Sequence, residues 1–260
     1  MPRGPSPTPE YLLIDISNSF TKFSSSSRDA LGRVSRTPTA SLTRRTLAAM
    51  ARPGQKIVLS SVVPASTRLA LKAFAPQIAR GEFLAVSSRL KLGAGIDYPR
   101  PGTIGADRLA NAAAAFHIHG APTVVVDFGT AVTFDILSPQ GDYIGGVIAP
   151  GLEVMTDYLY QRTALLPRIR PVEPATAIGR STRAAMLAGA VYGYRGLVRE
   201  ILAQVHGQLG SHRRPRVIAT GGYAKLIASR LPEIGLVHPH LTLEGLRIIG
   251  NLNFPAPASR

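Results

Sequence analysis

The chain has 260 residues, enough for one large domain or two compact halves around a sizeable core. Apolar residues make up 45% of it, which excludes wholesale disorder. No apolar run reaches the roughly 20 residues that a membrane-spanning helix needs, and the Pro-rich start lacks the apolar core of a signal peptide. Because cysteine is absent, disulfides, thiolate metal sites and cysteine nucleophiles are excluded. We therefore expect a cytoplasmic protein with no membrane partner.

The formal net charge is +15, from 30 Lys and Arg against 15 Asp and Glu. Such a balance can attract nucleic acids or other polyanions. The basic residues are scattered, however, and form neither a long block interleaved with aromatic residues nor a known nucleic-acid-binding motif. We expect no dedicated nucleic-acid partner, whereas an anionic substrate is compatible with this charge.

Strand and helix patterns alternate along the chain. After a first hairpin, the pattern predicts a helix over 42–51 capped by Ser41, a strand over 56–60, a helix from Ser66 or Thr67 to 79, a strand over 83–86 and a helix over 107–116. After a second hairpin, it predicts a strand over 143–149, a helix over 181–205 and a strand over 216–220. Such alternation predicts an α/β fold with mixed sheets.

The two hairpins form a weak internal repeat. Segment 13–21 can be laid over segment 125–133 without a gap, and each has an apolar strand, an Asp, a turn of small polar residues and a second strand. The two carboxylates, Asp15 and Asp127, are poorly explained by stability because charges are seldom buried without partners. The repeat predicts two similar halves, 11–118 and 119–254, between flexible tails at 1–10 and 255–260.

Both acidic turns have the residue types of a phosphate site. Segment 15–22 combines a carboxylate, turn amides, hydroxyls and a Lys, and such a turn can cradle phosphate while the Asp holds Mg²⁺ directly or through water. Segment 127–133 adds Gly129, which permits close backbone approach, and the hydroxyl of Thr130. Either turn alone is also compatible with an Asx-turn that only closes a hairpin. Two of them in one chain favour a phosphate clasped between them.

Two further segments have both a structural and a chemical interpretation. In segment 105–108, Asp107 either caps the following helix or accepts a proton from a substrate hydroxyl, with Arg108 holding an anion. The Gly-rich segment 145–151 is either a tight connection or a place where backbone approaches a ligand. P-loop, dinucleotide-binding, zinc-protease and nucleophile-elbow motifs are absent from the sequence. His117 with His119, or His238 with His240, lack a third metal ligand, so we expect no histidine metal site.

Taken together, these segments resemble the type III pantothenate kinases, a branch of the acetate and sugar kinase/Hsc70/actin superfamily. The motifs that carry the resemblance follow in family order from residue 12 to about residue 250, and they are 15–22, 60–64, Tyr98, 105–108, 127–135, 145–151, 179–182, 220–222 and 241–246. One position departs from the family pattern, because Ser17 replaces the glycine of the first turn. If the turn required a left-handed backbone, a side chain there would cost about 1 kcal/mol or more.

The resemblance implies ATP-dependent phosphorylation of the terminal hydroxyl of pantothenate to 4'-phosphopantothenate, at the start of coenzyme A synthesis. It also implies two RNase H-like halves around a central cleft, as in actin-like ATPases, and a homodimer. Asp107 would be the proton acceptor, Asp15 would hold Mg²⁺ through ATP, and Asp127 would bind a monovalent cation, K⁺ or NH₄⁺. The implied ATP contacts are Asp15, Ile16, Ser17, Asn18, Ser19, Phe20, Thr21, Lys22 and Thr130. The implied pantothenate contacts are Tyr98, Gly105, Ala106, Asp107, Arg108 and Thr182.

Two alternatives stay open at the level of sequence. One is a non-catalytic regulator of the same fold that binds nucleic acid, motivated by Ser17 and the charge of +15. The other is a kinase of the same scaffold acting on another small alcohol, since a fold does not determine a substrate. The phosphate-site interpretation further expects the two acidic turns to face each other across a groove.

Overall fold

The computed structural model describes residues 10–210 and 214–255. The chain divides into two units: the first runs to Ile118 and resumes at Leu241, and the second runs from His119 to His240. The sequence placed 241–254 in the second half, whereas this segment groups with the first unit because it packs against that unit's first strand. Apart from Glu10 and Pro255, the predicted tails lie outside the described residues.

The elements of the first unit begin with a three-stranded meander. In chain order they are β1 (Tyr11–Ile16), β2 (Phe20–Ser26), β3 (Leu31–Pro38), a 3-10 turn (Thr39–Ser41), α1 (Arg44–Ala48), β4 (Lys56–Ser61), α2 (Pro64–Ala73), α3 (Ala75–Ala79), β5 (Phe83–Ala85), β6 (Gly95–Ile96), a second 3-10 turn (Pro101–Thr103) and α4 (Ala106–His119). The first sheet has the order β3-β2-β1-β4-β5. β1 is antiparallel to β2 and parallel to β4, so the sheet is mixed.

The second unit repeats this order of elements. It contains β7 (Thr123–Phe128), β8 (Ala131–Leu137), β9 (Asp142–Pro150), α5 (Leu152–Arg162), α6 (Thr182–Leu209), β10 (Arg216–Gly221), α7 (Ala224–Ala228) and β11 (Leu236–Val237), and α8 (Leu241–Asn253) follows it. Its strands run in the order β9-β8-β7-β10-β11, which matches the first sheet strand for strand. β7 is antiparallel to β8 and parallel to β10. The predicted α/β class with mixed sheets is confirmed.

The two hairpins differ by one residue, although their sequences align without a gap. In the first, Ile16 pairs with Thr21, which leaves a connection of residues 17–20. In the second, Phe128 pairs with Val132, which leaves residues 129–131. Because side chains alternate between sheet faces, this shift changes which residue lies opposite each Asp.

The central strand of each unit is apolar because helices cover the sheet. Every residue of β1 is buried, and Leu12 packs in one core with Leu47 of α1 and with Phe74 at the junction of α2 and α3. On the opposite face, Tyr11 lies against α8, where a side chain added at Gly250 would contact its ring. A strand covered on both faces is expected to be apolar throughout. In β1 the exception is Asp15, near the end of the strand.

Two helix starts differ from their predicted positions. Thr43, not Ser41, caps α1, because its hydroxyl accepts a hydrogen bond from the backbone N–H three residues later in a capping box. Pro64 opens α2 ahead of the predicted caps, which fits the preference for proline in the first helical turn. Ser181, the first residue of the helix predicted over 181–205, is the N-cap of α6. In residues 10–210 and 214–255, no helix is both long enough and apolar enough to cross a membrane.

Helices α4 and α8 cross at very short range within the first unit. Thr242 Oγ1 donates a hydrogen bond of 2.9 Å to Asn111 Oδ1, and both side chains are buried. One turn further, a methyl group on Gly245 would overlap the carbonyl group of Ala110. The Ala-rich sequence of α4 and the absence of a side chain at residue 245 therefore set the distance between the two helices.

We expect Gly245→Ala to destabilise the protein by about 1–3 kcal/mol, because the helices must separate to admit the methyl group. Gly207→Ala in α6 is the matched control, since a methyl group there meets no atom within 4 Å and alanine has the higher helix propensity. Denaturant-induced unfolding followed by circular dichroism measures both variants. An equal stability of the two variants would contradict the proposed helix contact.

Candidate active site

Asp15 lies at the carboxyl end of β1 and is only 3% exposed. Ser17 Oγ is 3.4 Å from Asp15 Oδ2, to which it donates. Across the hairpin, Asp15 is paired with Lys22 of β2, so the carboxylate and the ammonium group share one face of the sheet. The first acidic turn therefore places one buried carboxylate beside one cation.

The first acidic turn is held in place by Thr39 of the following 3-10 turn. The Thr39 N–H donates to the carbonyl of Ser19 at 3.0 Å, and Thr39 Oγ1 donates to the carbonyl of Ser17 at 2.7 Å. The hydroxyls of Thr39 and Thr21 are 3.1 Å apart, and both residues are buried. Because the turn is ordered before any ligand arrives, binding at its exposed tip requires little ordering entropy.

Ser17 is accommodated without backbone strain. None of the described non-glycine residues has a positive φ angle, and Gly129, its counterpart in the second turn, is not among the positive-φ glycines either. A left-handed backbone is therefore not required at this position. The free-energy cost that such a backbone would impose on the Ser17 side chain does not arise. The Ser17 hydroxyl instead contributes a hydrogen bond to Asp15.

Two cations lie side by side next to the first turn. Lys22 is paired with Arg36 of β3, and directly opposite side chains share a face. The Arg36 guanidinium carbon lies 4.8 Å from the centre of the Phe20 ring, which is 41% exposed. Like charges in this position repel each other, so an anion between them would be stabilising.

Asp127 occupies the equivalent position in the second unit. It is half-buried near the end of β7, and its cross-strand neighbour is Thr133 of β8. The Gly129 N–H donates to the carbonyl of Ala131 at 3.1 Å, which closes the turn. Gly129 and Thr130 are exposed at its tip. In this register Thr133 is the counterpart of Lys22, so the residue across the hairpin from Asp127 carries a hydroxyl group and not a cation.

Two glycines allow backbone to approach the second turn closely. The Gly151 N–H donates to the carbonyl of Thr130 at 3.0 Å, and a side chain at residue 151 would overlap that carbonyl. At Gly221 φ is +93°, and a Cβ there would lie 2.5 Å from Asp127 Oδ1. Only glycine fits these positions, so the glycines of both motifs shape the surroundings of Asp127.

Asp107 lies in the first turn of α4, where its carboxylate is turned back onto the helix. Its Oδ1 accepts a hydrogen bond of 2.8 Å from the Arg108 N–H. A side chain at Gly105 would come within 2.7 Å of the same oxygen. The positive end of the helix stabilises a carboxylate here, so both interpretations of Asp107, capping residue and proton acceptor, are compatible with its position.

The remaining predicted substrate residues belong to different units. Tyr98, half-buried in the loop that leads to α4, lies in the first unit together with segment 105–108. Thr182 is exposed at the first position of α6, in the second unit. A side chain at Gly179 would overlap the backbone of Ala185, so the segment before α6 packs closely against the first turn of that helix.

The donors at the two turns fit hard cations. Mg²⁺ in nucleotide sites is usually bound by one or two carboxylates together with substrate phosphates and water, and Asp15 supplies such a carboxylate. Asp127 likewise supplies a hard oxygen donor for a monovalent cation. Within 10–210 and 214–255, no three His, Asp or Glu side chains converge as a metal site. Any cation at the turns would thus depend partly on oxygens of the nucleotide or of water.

The histidines pair differently from either predicted pair. His119 Nε2 lies 3.4 Å from His238 Nδ1, and the rings meet edge to face. Burial, followed by the neighbouring His238 and by Arg216, lowers the pKa of His119. Burial, together with the adjacent imidazole and guanidinium groups, therefore favours a neutral ring at His119.

Residues that were not predicted as site residues also lie around the two acidic turns. Thr39 braces the first turn, while Ser60 of β4 and Thr220 of β10 lie in register beside Asp15 and Asp127. Ser60 and Thr220 fall within family-like motifs in the sequence, but the sequence assigned them no role. Parallel pairing with a distant strand is what brings them to the Asp residues, and no local pattern encodes that pairing.

Comparison with known proteins identifies the family. A family model described as type III pantothenate kinase matches residues 11–204. The type III pantothenate kinase of Akkermansia muciniphila is 52% identical over 246 residues, covering 94% of this chain and 99% of its own.

Solved structures support the fold. A conserved protein of Campylobacter jejuni, described as a candidate Baf family transcriptional activator, superposes with a TM-score of 0.57 at 21% identity, over 92% of this chain and 96% of its own. The ethanolamine utilization protein EutJ of Carboxydothermus hydrogenoformans superposes with a TM-score of 0.54 at 13% identity, over 95% of this chain and 92% of its own. At such identities the likeness concerns the fold alone, and the matching strand orders of the two units confirm the predicted duplication. With a family model over most of its length and a relative at 52% identity, the chain belongs to the type III pantothenate kinase family.

Proposed function

We propose that this chain transfers the γ-phosphoryl group of ATP to the terminal hydroxyl of pantothenate, which yields 4'-phosphopantothenate at the start of coenzyme A synthesis. The family assignment supports the reaction. The observation in the structure that carries it is the pair of Asp-bearing turns at equivalent positions of a duplicated fold. We place the reaction in the cytoplasm, where ATP is available.

The first turn is the proposed site for the ATP phosphates. Its exposed tip, the Lys22 ammonium group and the adjacent Arg36 provide donors and positive charge, and Asp15 would hold Mg²⁺ bound to the nucleotide. Bound there, Mg²⁺ would neutralise charge on the phosphates. Thr130 of the second turn is the proposed further ATP contact. Phosphoryl transfer depends mainly on positioning and charge neutralisation, for which such donors are suited. The ATP contacts carried over from the family are Asp15, Ile16, Ser17, Asn18, Ser19, Phe20, Thr21, Lys22 and Thr130.

Asp107 is the proposed proton acceptor. Its carboxylate, stabilised as an anion by the start of α4, needs only to accept the hydroxyl proton as the oxygen attacks the γ-phosphorus. Arg108 at the same helix start would hold the carboxylate of pantothenate as an ion pair. The pantothenate contacts carried over from the family are Tyr98, Gly105, Ala106, Asp107, Arg108 and Thr182.

A coupled assay of ADP release tests the proposed function. The protein is supplied with ATP, Mg²⁺ and K⁺, and turnover is compared between pantothenate and a panel of other small alcohols and sugars. Release that depends on pantothenate supports the proposal. A preference for another alcohol would establish a different kinase on this scaffold, and the absence of turnover together with salt-sensitive nucleic-acid binding would establish a regulator.

We expect Asp107→Asn to lower kcat by about 10²- to 10⁴-fold, because the amide cannot accept the hydroxyl proton. The thermal unfolding temperature should change little, since the amide oxygen still accepts the Arg108 N–H. Asp29→Asn, at an exposed position in the first unit, is the control and should retain wild-type kinetics. Unchanged kinetics in Asp107→Asn would remove its role as the base.

We propose that Asp127 binds the activating monovalent cation, K⁺ or NH₄⁺. Replacing it with Asn removes the charge, and we expect the K⁺ concentration for half-maximal activity to rise about tenfold or more. Activity is titrated with KCl and with NH₄Cl at constant ionic strength, with choline chloride as the balancing salt. Full activity of the wild-type protein in choline chloride alone would reject a monovalent cation at this site.

We propose that the chain forms a homodimer through the second unit. The exposed face of α6 carries Gly189, Gly193 and the half-exposed ring of Tyr192, and α5, which contacts α6, exposes Tyr158 and Leu159. Apolar side chains grouped on a surface are typical of protein contacts, and glycines permit close helix packing.

Light scattering after size-exclusion chromatography is expected to give the mass of two chains for the wild-type protein. Gly193→Arg, at a position where an added Cβ meets no atom within 4 Å, should give the mass of one chain because the long side chain blocks close approach. Gly207→Arg near the end of the same helix is the control and should remain dimeric. A single-chain mass for the wild-type protein would reject the dimer.

A further inference from the structure

Ser60 of β4 is a buried hydroxyl residue without a hydrogen-bond partner. Its side chain is 0% exposed, and Ser60 Oγ makes no hydrogen bond. Burying a hydroxyl without compensation is unfavourable, and alanine at this position would avoid the cost. Such a group in a native structure requires an explanation.

The register of the first sheet places Ser60 next to the proposed ATP site. β4 runs parallel to β1, and Ser60 is paired with Asp15. Residues paired in register point to the same face of a sheet, so the hydroxyl and the carboxylate share a face on adjacent strands. The following residue, Ser61, points to the other face and is bonded there, since it accepts a hydrogen bond of 2.8 Å from Thr67 Oγ1.

The second unit repeats this arrangement. β10 runs parallel to β7, and Thr220, which is 1% exposed, is paired with Asp127. In both units a buried hydroxyl residue of the adjacent parallel strand thus lies in register with the Asp that ends the central strand. Since the sequences around Ser60 and Thr220 are otherwise different, the shared feature is the hydroxyl beside the carboxylate.

We propose that Ser60 is a positioning residue for Asp15, whose hydroxyl donates to the Asp15 carboxylate when the nucleotide and its Mg²⁺ are bound. The inference rests on the ATP-binding role proposed for Asp15. Ser17 already donates to Oδ2 of this carboxylate from the turn, and Ser60 adds a donor from the neighbouring strand. Two donors from different elements fix the orientation of a carboxylate more tightly than one.

This role predicts opposite effects on stability and on nucleotide binding. In the ligand-free protein the Ser60 hydroxyl contributes no hydrogen bond, so Ser60→Ala should unfold at the same temperature as the wild type or a higher one. Hydrogen bonds to charged groups are among the stronger ones. We therefore expect the Kd for Mg-ATP, measured by calorimetry without pantothenate, to rise about tenfold.

Kinetics add a second readout. We expect Ser60→Ala to raise the KM for ATP by a similar factor with a smaller change in kcat at saturating ATP. A merely structural role would leave the KM for ATP unchanged.

Ser61→Ala is the matched control. It removes a hydroxyl that is hydrogen-bonded within the protein, so it should lower the unfolding temperature and leave the Kd for Mg-ATP unchanged. Ser60→Ala with wild-type affinity would overturn the inference. So would a Ser60→Ala protein that fails to fold or unfolds at a lower temperature, because its hydroxyl would then be structural.

Asp15→Asn separates failure of the inference from failure of the proposed site. If Asp15→Asn binds Mg-ATP as the wild type does, the ATP role of Asp15 is rejected, and the Ser60 inference is rejected with it. If Asp15→Asn loses affinity while Ser60→Ala does not, the site stands and only the positioning role of Ser60 is rejected.

Discussion

The organisation of this protein depends on a carboxylate held at the end of a strand that is otherwise apolar. Helices cover the first sheet, so β1 is hydrophobic on both sides, and a charge can be kept there only where the strand gives way to a turn. Asp15 occupies that point, with Ser17 and Lys22 as its polar neighbours. Asp127 occupies the same point in the second unit. The sheets thus act as scaffolds that present two charged groups at defined positions.

The surroundings of the two carboxylates are built by different means. Thr39 ties down the first turn with two hydrogen bonds, so that turn is stiffened by a side chain. Around the second turn, Gly151 and Gly221 bring backbone directly against it. Lys22 lies across from Asp15, whereas Thr133 lies across from Asp127. The duplicated fold therefore has a cation across the hairpin from one Asp and a hydroxyl residue across the hairpin from the other.

Much of this arrangement could be predicted from sequence, and the exceptions have identifiable physical causes. The Asp-ended hairpins follow from β-branched runs stopped by a charge and small polar residues, which are local signals. The one-residue difference between the hairpins did not follow, because an ungapped alignment does not specify strand register. The cap of α1 was placed at Ser41 instead of Thr43, as both are hydroxyl residues ahead of the same helix. The contact between His119 and His238 joins distant segments, and local spacing does not reveal it.

The grouping of α8 with the first unit has a consequence for biosynthesis. The second unit is continuous in sequence, so it can complete its own sheet as soon as its last strand has left the ribosome. The first unit cannot, because the helix that packs beside Tyr11 and Val58, α8, follows the whole second unit in the sequence. Until then, an apolar side of its sheet lies open to water. The first strands must therefore stay protected while the whole second unit is translated, and a chain that stops before residue 241 leaves that hydrophobic side uncovered.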